Sequence, residues 1–135
     1  MSNVTCAILR PTELQSVDRG GGARTTPLVT RKCGSSSVLN GITAFEPGAA
    51  IGLHKHNCEE SVMVLDGSAI AEIDGVQYQL GPQDTTWIAA NVPHRFINAS
   101  ATEPMRIFWT YASIDATRTM ISTGEARVVD AGSSG

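Results

Sequence analysis

The feature that most constrains this chain is a succession of short β-rich segments from Val38 to Tyr111. Each segment holds about five residues, many of them β-branched or aromatic, and Gly, Pro, Asn or Asp separates it from the next. No helical periodicity interrupts the series. About eight short strands in so small a chain favour an all-β fold that limits exposed strand edges, either a β-barrel or a double-sheet jelly roll.

Two Asp-Gly pairs, Asp66-Gly67 and Asp74-Gly75, supply the positive φ angles that tight hairpin turns need. They predict a meander of three consecutive antiparallel strands. The apolar residues of the third strand alternate with two glutamines, so one face of that strand should be covered. The predicted strands, in chain order, are 41–46, 61–65, 69–73, 76–80, 94–98 and 105–111.

The length of 135 residues fits a single domain. The pattern predicts a barrel over 36–115. An N-terminal segment over 1–35, with a Gly-rich loop, should pack on the barrel, and a C-terminal segment with a frayed tail should occupy 116–135.

Charge and hydropathy exclude several classes of partner. The net charge of −3 gives no basic footprint for nucleic acid. No apolar run approaches the roughly 20 residues of a membrane-spanning helix, and the first residues lack the pattern of a signal peptide. We therefore expect a cytoplasmic protein with neither a nucleic-acid nor a membrane partner.

The cysteines Cys6, Cys33 and Cys58 are odd in number and widely spaced, which argues against a disulfide framework and against a zinc-thiolate site. Cys6 and Cys33 are expected to be buried packing residues. Cys58 is expected in a turn, with an additional metal ligand as the alternative.

The histidines predict a metal site. Side chains two apart in a strand share a face, so His54 and His56 point one way and Lys55 the other. Glu60 can enter from the neighbouring strand, and a barrel can bring His94 from a distant strand to the same place. Three imidazoles and a carboxylate suit one divalent transition metal, whether Fe, Mn, Ni, Co or Zn, and leave positions open for a small anionic ligand.

The segment Gly48–Gly67 resembles the first motif of the cupin family, which reads Gly, five residues, His-x-His, three or four residues, Glu, six residues, Gly. Every interval matches. The resemblance implies that His54, His56 and Glu60 are metal ligands, with Glu60 rather than Glu59 at the carboxylate position.

The segment from Gln83 to Asn98 is similar to the second cupin motif, in which His94 is the remaining ligand and Asn98 also matches. Gln83, Ala89 and Asn91 stand where the family has Gly, Pro and Gly. Because those residues shape the backbone whereas the imidazole binds the ion, the departures affect the loops more than the metal site.

The resemblance implies a single-domain cupin-type jelly-roll β-barrel, or double-stranded β-helix, that forms a homodimer and binds a small-molecule substrate or ligand. Cupins with this ligand set include many dioxygenases, so a metal-dependent oxygenase is favoured. A non-redox lyase, isomerase or decarboxylase is the first alternative, and a non-catalytic sensor is the second.

Strand residues near the ligands predict the pocket and the catalytic groups. Glu60 and Tyr111 are the candidate catalytic residues, although a buried tyrosine hydroxyl often serves only to complete a hydrogen bond. The alternation in 105–111 does not decide whether the set with Trp109 and Tyr111 or the set with Phe108 faces inward. The expected pocket-lining residues are Phe45, Val62, Phe96 and Trp109.

Overall fold

The computed structural model describes residues 4–129, so the predicted tail from Asp130 to Gly135 lies outside the described part. No helix in this part is long and apolar enough to cross a membrane. Two short 3-10 turns, at Pro11–Glu13 and Arg31–Cys33, are its helical elements. The strands are β1 (Val17–Gly20), β2 (Ala23–Pro27), β3 (Leu39–Phe45), β4 (His54–His56), β5 (Glu60–Asp66), β6 (Ala69–Ile73), β7 (Val76–Leu80), β8 (Thr85–Ile88), β9 (His94–Asn98), β10 (Met105–Tyr111), β11 (Thr117–Met120) and β12 (Ala126–Val128).

The strands form two six-stranded antiparallel sheets. The first has the order β1-β2-β3-β10-β5-β8, and the second has the order β12-β11-β4-β9-β6-β7. Strands distant in sequence are therefore neighbours in space, and one apolar core contains residues of both sheets. The predicted all-β jelly roll is confirmed, with two separate sheets in place of one continuous barrel wall.

The predicted meander is only half right. Strands β6 and β7 pair as expected around Asp74-Gly75, but β5 pairs with β10 and β8 in the other sheet. The Asp66-Gly67 turn thus carries the chain between sheets. A Cβ at Gly67, where φ is 86°, would lie 2.5 Å from the carbonyl oxygen of Pro104, so the turn passes close to the start of β10 and needs glycine.

The prediction that one face of β7 is covered is also wrong. Val76 and Tyr78 are 50% and 49% exposed. Because β7 is an edge strand that pairs with β6 alone, its apolar side chains remain open to solvent. Alternation identified the strand correctly but did not establish what lies over it.

The N-terminal segment does not bury its cysteine. Cys6 is exposed and Cys33 is half-buried, so the packing role expected of Cys6 is wrong. Most residues from 4 to 16 are exposed, and a cysteine in such a segment has no core to enter.

The inward face of β10 holds Ile107, Trp109 and Tyr111, all buried, whereas Phe108 is only partly buried. Trp109 lies opposite Gly41 on β3, where a Cβ would be 2.5 Å from the indole ring. The glycine therefore makes room for the indole. The Trp109 Nε1–H donates a 2.9 Å hydrogen bond to Thr43 Oγ1, which satisfies its polar atom inside the core.

The two non-glycine residues that replace glycines of the second motif keep a glycine-like backbone. Gln83 has φ of 73° and Asn91 has φ of 65°. Asparagine tolerates the left-handed region better than most residues, whereas glutamine is strained there. The backbone of the motif is thus retained although its residues differ.

Replacing Gln83 by glycine should relieve this strain. We expect Gln83→Gly to raise the free energy of unfolding by about 0.5–1 kcal/mol in urea denaturation, since the relief exceeds the added flexibility of the unfolded chain. Gln83→Ala removes the side chain but keeps the strain and is the matched control. A glycine variant no more stable than the alanine variant would contradict this account.

Candidate metal centre

Three imidazoles meet on the inner face of the second sheet. His54 and His56 alternate with outward Lys55 along β4, and His54 lies opposite His94 on the neighbouring strand β9. All three histidines are buried, each with only 2% of its surface exposed. The ligand atoms of the three lie within 4.8 Å of one another, close enough for one ion to contact all of them.

The carboxylate of Glu60 faces this cluster from the first sheet. Its Oε1 lies 2.9 Å from His94 Nε2 and 3.5 Å from His56 Nε2, and the residue is 5% exposed. The two sheets thus contribute to one polar centre inside an otherwise apolar core. A buried charge of this kind requires a compensating positive charge.

Backbone carbonyls orient all three rings. Each Nδ1 lies near a carbonyl oxygen: Gly52 at 2.8 Å from His54, Thr117 at 3.0 Å from His56 and Val92 at 2.9 Å from His94. Because a carbonyl only accepts hydrogen bonds, each Nδ1 carries the hydrogen and donates it. In the neutral rings the lone pair is therefore on Nε2, the atom aimed at the shared centre.

Three buried atoms that face the centre, His56 Nε2, His94 Nε2 and Glu60 Oε1, make no contact with hydrogen-bond geometry among residues 4–129, although the last two lie only 2.9 Å apart. Buried polar atoms normally have partners, so three such atoms around one point need an explanation. A divalent cation held by His54, His56, His94 and Glu60 would supply it, and the donor set fits such an ion.

Burial controls the protonation of the rings. Burial, followed by the charge of His94, lowers the pKa of His54 well below its usual value, and burial lowers the pKa of His56 to about 4 despite the opposing charge of Glu60. Burial also acts to lower the pKa of His94, but the adjacent carboxylate of Glu60 leaves that pKa raised. His54 and His56 are thus neutral at pH 7, and an ion would compete at His94 with the proton that Glu60 favours there.

Tyr111 is brought to this centre by β10. It lies opposite Glu60 in the strand register, and its ring centroid is 4.4 Å from that of His56. Its hydroxyl is buried and has no hydrogen-bond partner in the described residues. Burial raises the pKa of this hydroxyl well above its usual value, so it carries its proton at neutral pH.

The expected pocket-lining residues occupy different depths. Trp109 and Val62 form the next inward-facing register pair along β10 and β5, and Phe96 is the next inward residue after His94. Phe45, in contrast, pairs with Met105 at the opposite end of β10 from Tyr111. Its placement is that of a core residue away from the imidazoles.

The alternative ligands Glu59 and Cys58 are not part of the histidine cluster. Glu59 Oε1 accepts a 2.7 Å hydrogen bond from the indole N–H of exposed Trp87 on the outer face. Cys58 is half-buried and packs against the core. Burial raises the pKa of its thiol and so disfavours the thiolate form that would bind a metal.

Sequence reasoning missed one residue beside the centre. Arg118 on β11 lies opposite His56 in the strand register, so the two side chains share the inner face. Burial, and then the charge of Arg19, lowers the pKa of Arg118 to about 10, which leaves it a cation at neutral pH. Strand alternation in Thr117–Met120 was the available signal, but the pairing of β11 with β4 was not visible in the sequence.

Comparison with known proteins places these residues in context. The family model described as a cupin domain matches residues 41–111. The polyketide synthase CurC of Streptomyces cyaneus is 32% identical over 93 residues, which are 67% of this chain. The match spans 58% of the length of that relative.

Solved structures share the fold at low sequence identity. The polyketide cyclase RemF of Streptomyces resistomycificus superposes with a TM-score of 0.73 at 18% identity, covering 93% of this chain and 86% of RemF. A sugar phosphate isomerase of Silicibacter pomeroyi gives a TM-score of 0.65 at 19% identity, covering 95% and 96% of the two chains. Oxalate decarboxylase OxdC of Bacillus subtilis gives 0.73 at 17% identity, covering 83% and 31%.

Removal of one imidazole should abolish metal retention. We expect His94→Ala to hold less than about a tenth of the wild-type metal after dialysis, because it leaves the ion without one ligand and leaves Glu60 unopposed. Elemental analysis by mass spectrometry measures the metal, and circular dichroism checks the fold.

Lys55→Ala is the matched control, since Lys55 lies between two of the imidazoles in sequence but points to the other face of β4. It should retain metal at the wild-type level. Equal metal content in His94→Ala and Lys55→Ala would show that the ligand assignment is wrong.

Proposed function

Since this chain belongs to the cupin domain family, we propose that it is a metal-dependent enzyme of small, oxygen-rich carbonyl compounds. The favoured reaction is non-redox, an intramolecular cyclisation of a polyketide-like chain. Metal dependence is supported by the convergence of three imidazoles and Glu60, in which His56 Nε2, His94 Nε2 and Glu60 Oε1 are buried without a hydrogen-bond partner in the described residues. The similarity to CurC favours the cyclisation.

The side chains around the centre indicate which ligand it would bind and which chemistry it would support. His54, His56, His94 and Glu60 would bind the ion, and the open positions would accept substrate oxygens. A bound divalent ion supplies Lewis acidity, which polarises a carbonyl group and acidifies the neighbouring C–H bond. The apolar layer of Val62 and Trp109 behind the centre excludes water from it.

Two side chains would move the protons. We assign Glu60 as the base, whose carboxylate accepts a proton from the carbon beside a substrate carbonyl. That carbon then attacks a second carbonyl carbon of the same substrate. Tyr111 donates its hydroxyl proton to the resulting oxygen, and the proton held by Glu60 passes back to Tyr111, which lies opposite it in the strand register. One C–H bond and one C=O π bond break, one C–C and one O–H bond form, and dehydration afterwards releases water.

A dioxygenase is the second candidate, because the donor set can also bind iron. Three histidines and one carboxylate suit iron as well as they suit the non-redox ions, so the same centre is compatible with oxygen chemistry. The homodimer and the cytoplasmic location expected from the sequence stay predictions. Light scattering on the purified protein tests the first of them.

Turnover with and without oxygen distinguishes the two candidate reactions. The probe is a short linear poly-β-ketone thioester, incubated with protein loaded separately with Fe²⁺, Mn²⁺, Ni²⁺, Co²⁺ or Zn²⁺ and analysed by mass spectrometry. We expect a ring-closed product that has lost water, formed only with metal and at the same rate under air and under argon. A product with added oxygen that requires air would replace this proposal with the dioxygenase. Absence of metal-dependent turnover would contradict both.

The Tyr111→Phe variant tests the proton donor. Because it lacks only the hydroxyl, it should keep its metal and its KM while kcat falls by about a hundredfold or more. Stopped assays with the same thioester give both constants. A variant with unchanged kcat would reduce Tyr111 to a packing partner of His56.

A further inference from the structure

The guanidinium of Arg118 lies against the candidate metal centre but takes no part in it. Arg118 and His56 occupy opposed positions on β11 and β4, with side chains on the same face. Its charge acts on all three imidazoles and on the hydroxyl of Tyr111. Arg118 is therefore adjacent to the place where a substrate bound at the ion would lie.

Within residues 4–129, this cation has no carboxylate partner. The Nε of Arg118 is buried without a hydrogen-bond partner, and no carboxylate among residues 4–129 lies within ion-pair distance of the side chain. The carboxylate that acts on it at longer range is Glu60, whose charge an ion would neutralise. An isolated, partly buried guanidinium is costly to maintain, which distinguishes Arg118 from the paired surface arginines.

Positive charge accumulates around Arg118. Arg127 stands directly opposite it on β12, and like charges in opposed positions destabilise a sheet. Arg127 forms an ion pair with Glu125, with 3.5 Å between Nη2 and Oε1. Arg118 has no such ion pair within the described residues. The arrangement is unfavourable unless an anion occupies the space beside Arg118.

A second guanidinium approaches from the other sheet. Arg19 sits at the irregularity in the β1–β2 pairing, between Asp18 and Gly20, where a bulge redirects a side chain. Its Nη1 donates a 3.3 Å hydrogen bond to Thr25 Oγ1. The Thr25 hydroxyl faces the core and shares a second hydrogen bond with the hydroxyl of Thr43. Arg19 acts electrostatically on both Tyr111 and Arg118, so the two arginines approach the same space from opposite sheets.

We propose that Arg118, assisted by Arg19, forms an anion subsite that binds a carboxylate of the substrate while other substrate oxygens bind the ion. The planar guanidinium suits the two oxygens of a carboxylate, and the carboxylate supplies the partner that Arg118 lacks. This inference rests on the proposed function and narrows its substrate class to carbonyl compounds that also carry a carboxylate. Arg118 is thus a specificity-determining residue.

A dicarboxylate tests the subsite without knowledge of the natural substrate. Malonate carries one carboxylate for the ion and one for Arg118, whereas acetate carries only one. In Zn²⁺-loaded protein, Arg118→Gln should weaken malonate binding about tenfold or more by calorimetry and change acetate binding by less than about twofold. Arg118→Lys should recover part of the malonate affinity. Arg106→Gln is the matched control, since Arg106 is an exposed arginine paired with Asp66 on the outer face of β10.

A second measurement does not depend on metal or on the stability of the glutamine variant. In metal-free wild-type protein, the side-chain Nε–Hε NMR signal of Arg118, assigned from its loss in Arg118→Lys, should shift on addition of malonate and remain unchanged with uncharged malonamide. A signal that ignores malonate, or equal malonate affinities in Arg118→Gln and Arg106→Gln, would overturn the subsite. Failure of the wild-type protein to bind Zn²⁺ would instead count against the proposed function, and the NMR result would still decide the subsite.

Discussion

The structure depends on a single electrostatic requirement: lone pairs from three buried imidazoles and one buried carboxylate point at the same place. His54, His56 and His94 come from the second sheet and Glu60 from the first, so this centre also joins the two layers of the fold. Backbone carbonyls fix the ring orientations before any ion arrives. Such preorganisation lowers the cost of binding an ion, and it directs polar atoms toward a place where the described residues offer them no hydrogen-bond partner.

The residues around this centre are apolar on one side and positively charged on the other. On one side, Val62 and Trp109 form an apolar layer without charge. On the other side, Arg118 and Arg19 provide two guanidiniums, whose positive charge would add to that of a bound ion. A negatively charged, oxygen-rich molecule is the ligand for which both parts of the site are complementary.

Strand parity and motif spacing were sufficient to predict from the sequence that His54, His56, Glu60 and His94 would meet, because both properties are local. Strand pairing is not local. The Asp66-Gly67 pair specifies a turn but not whether the strands it joins share a sheet, and β7 alternates although little covers it. Arg118 escaped notice for the same reason, since its importance comes from lying opposite His56 and not from its neighbours in the chain.

The central claim is that one ion is held by three imidazoles and one carboxylate. X-ray absorption spectroscopy of the Co²⁺-loaded protein measures this directly, because imidazole rings and sulfur ligands give distinct scattering. The account predicts three imidazole nitrogens and oxygen ligands at about 2.0–2.2 Å, with no sulfur. A spectrum with fewer than three imidazoles, or with a sulfur ligand from Cys58, would contradict it.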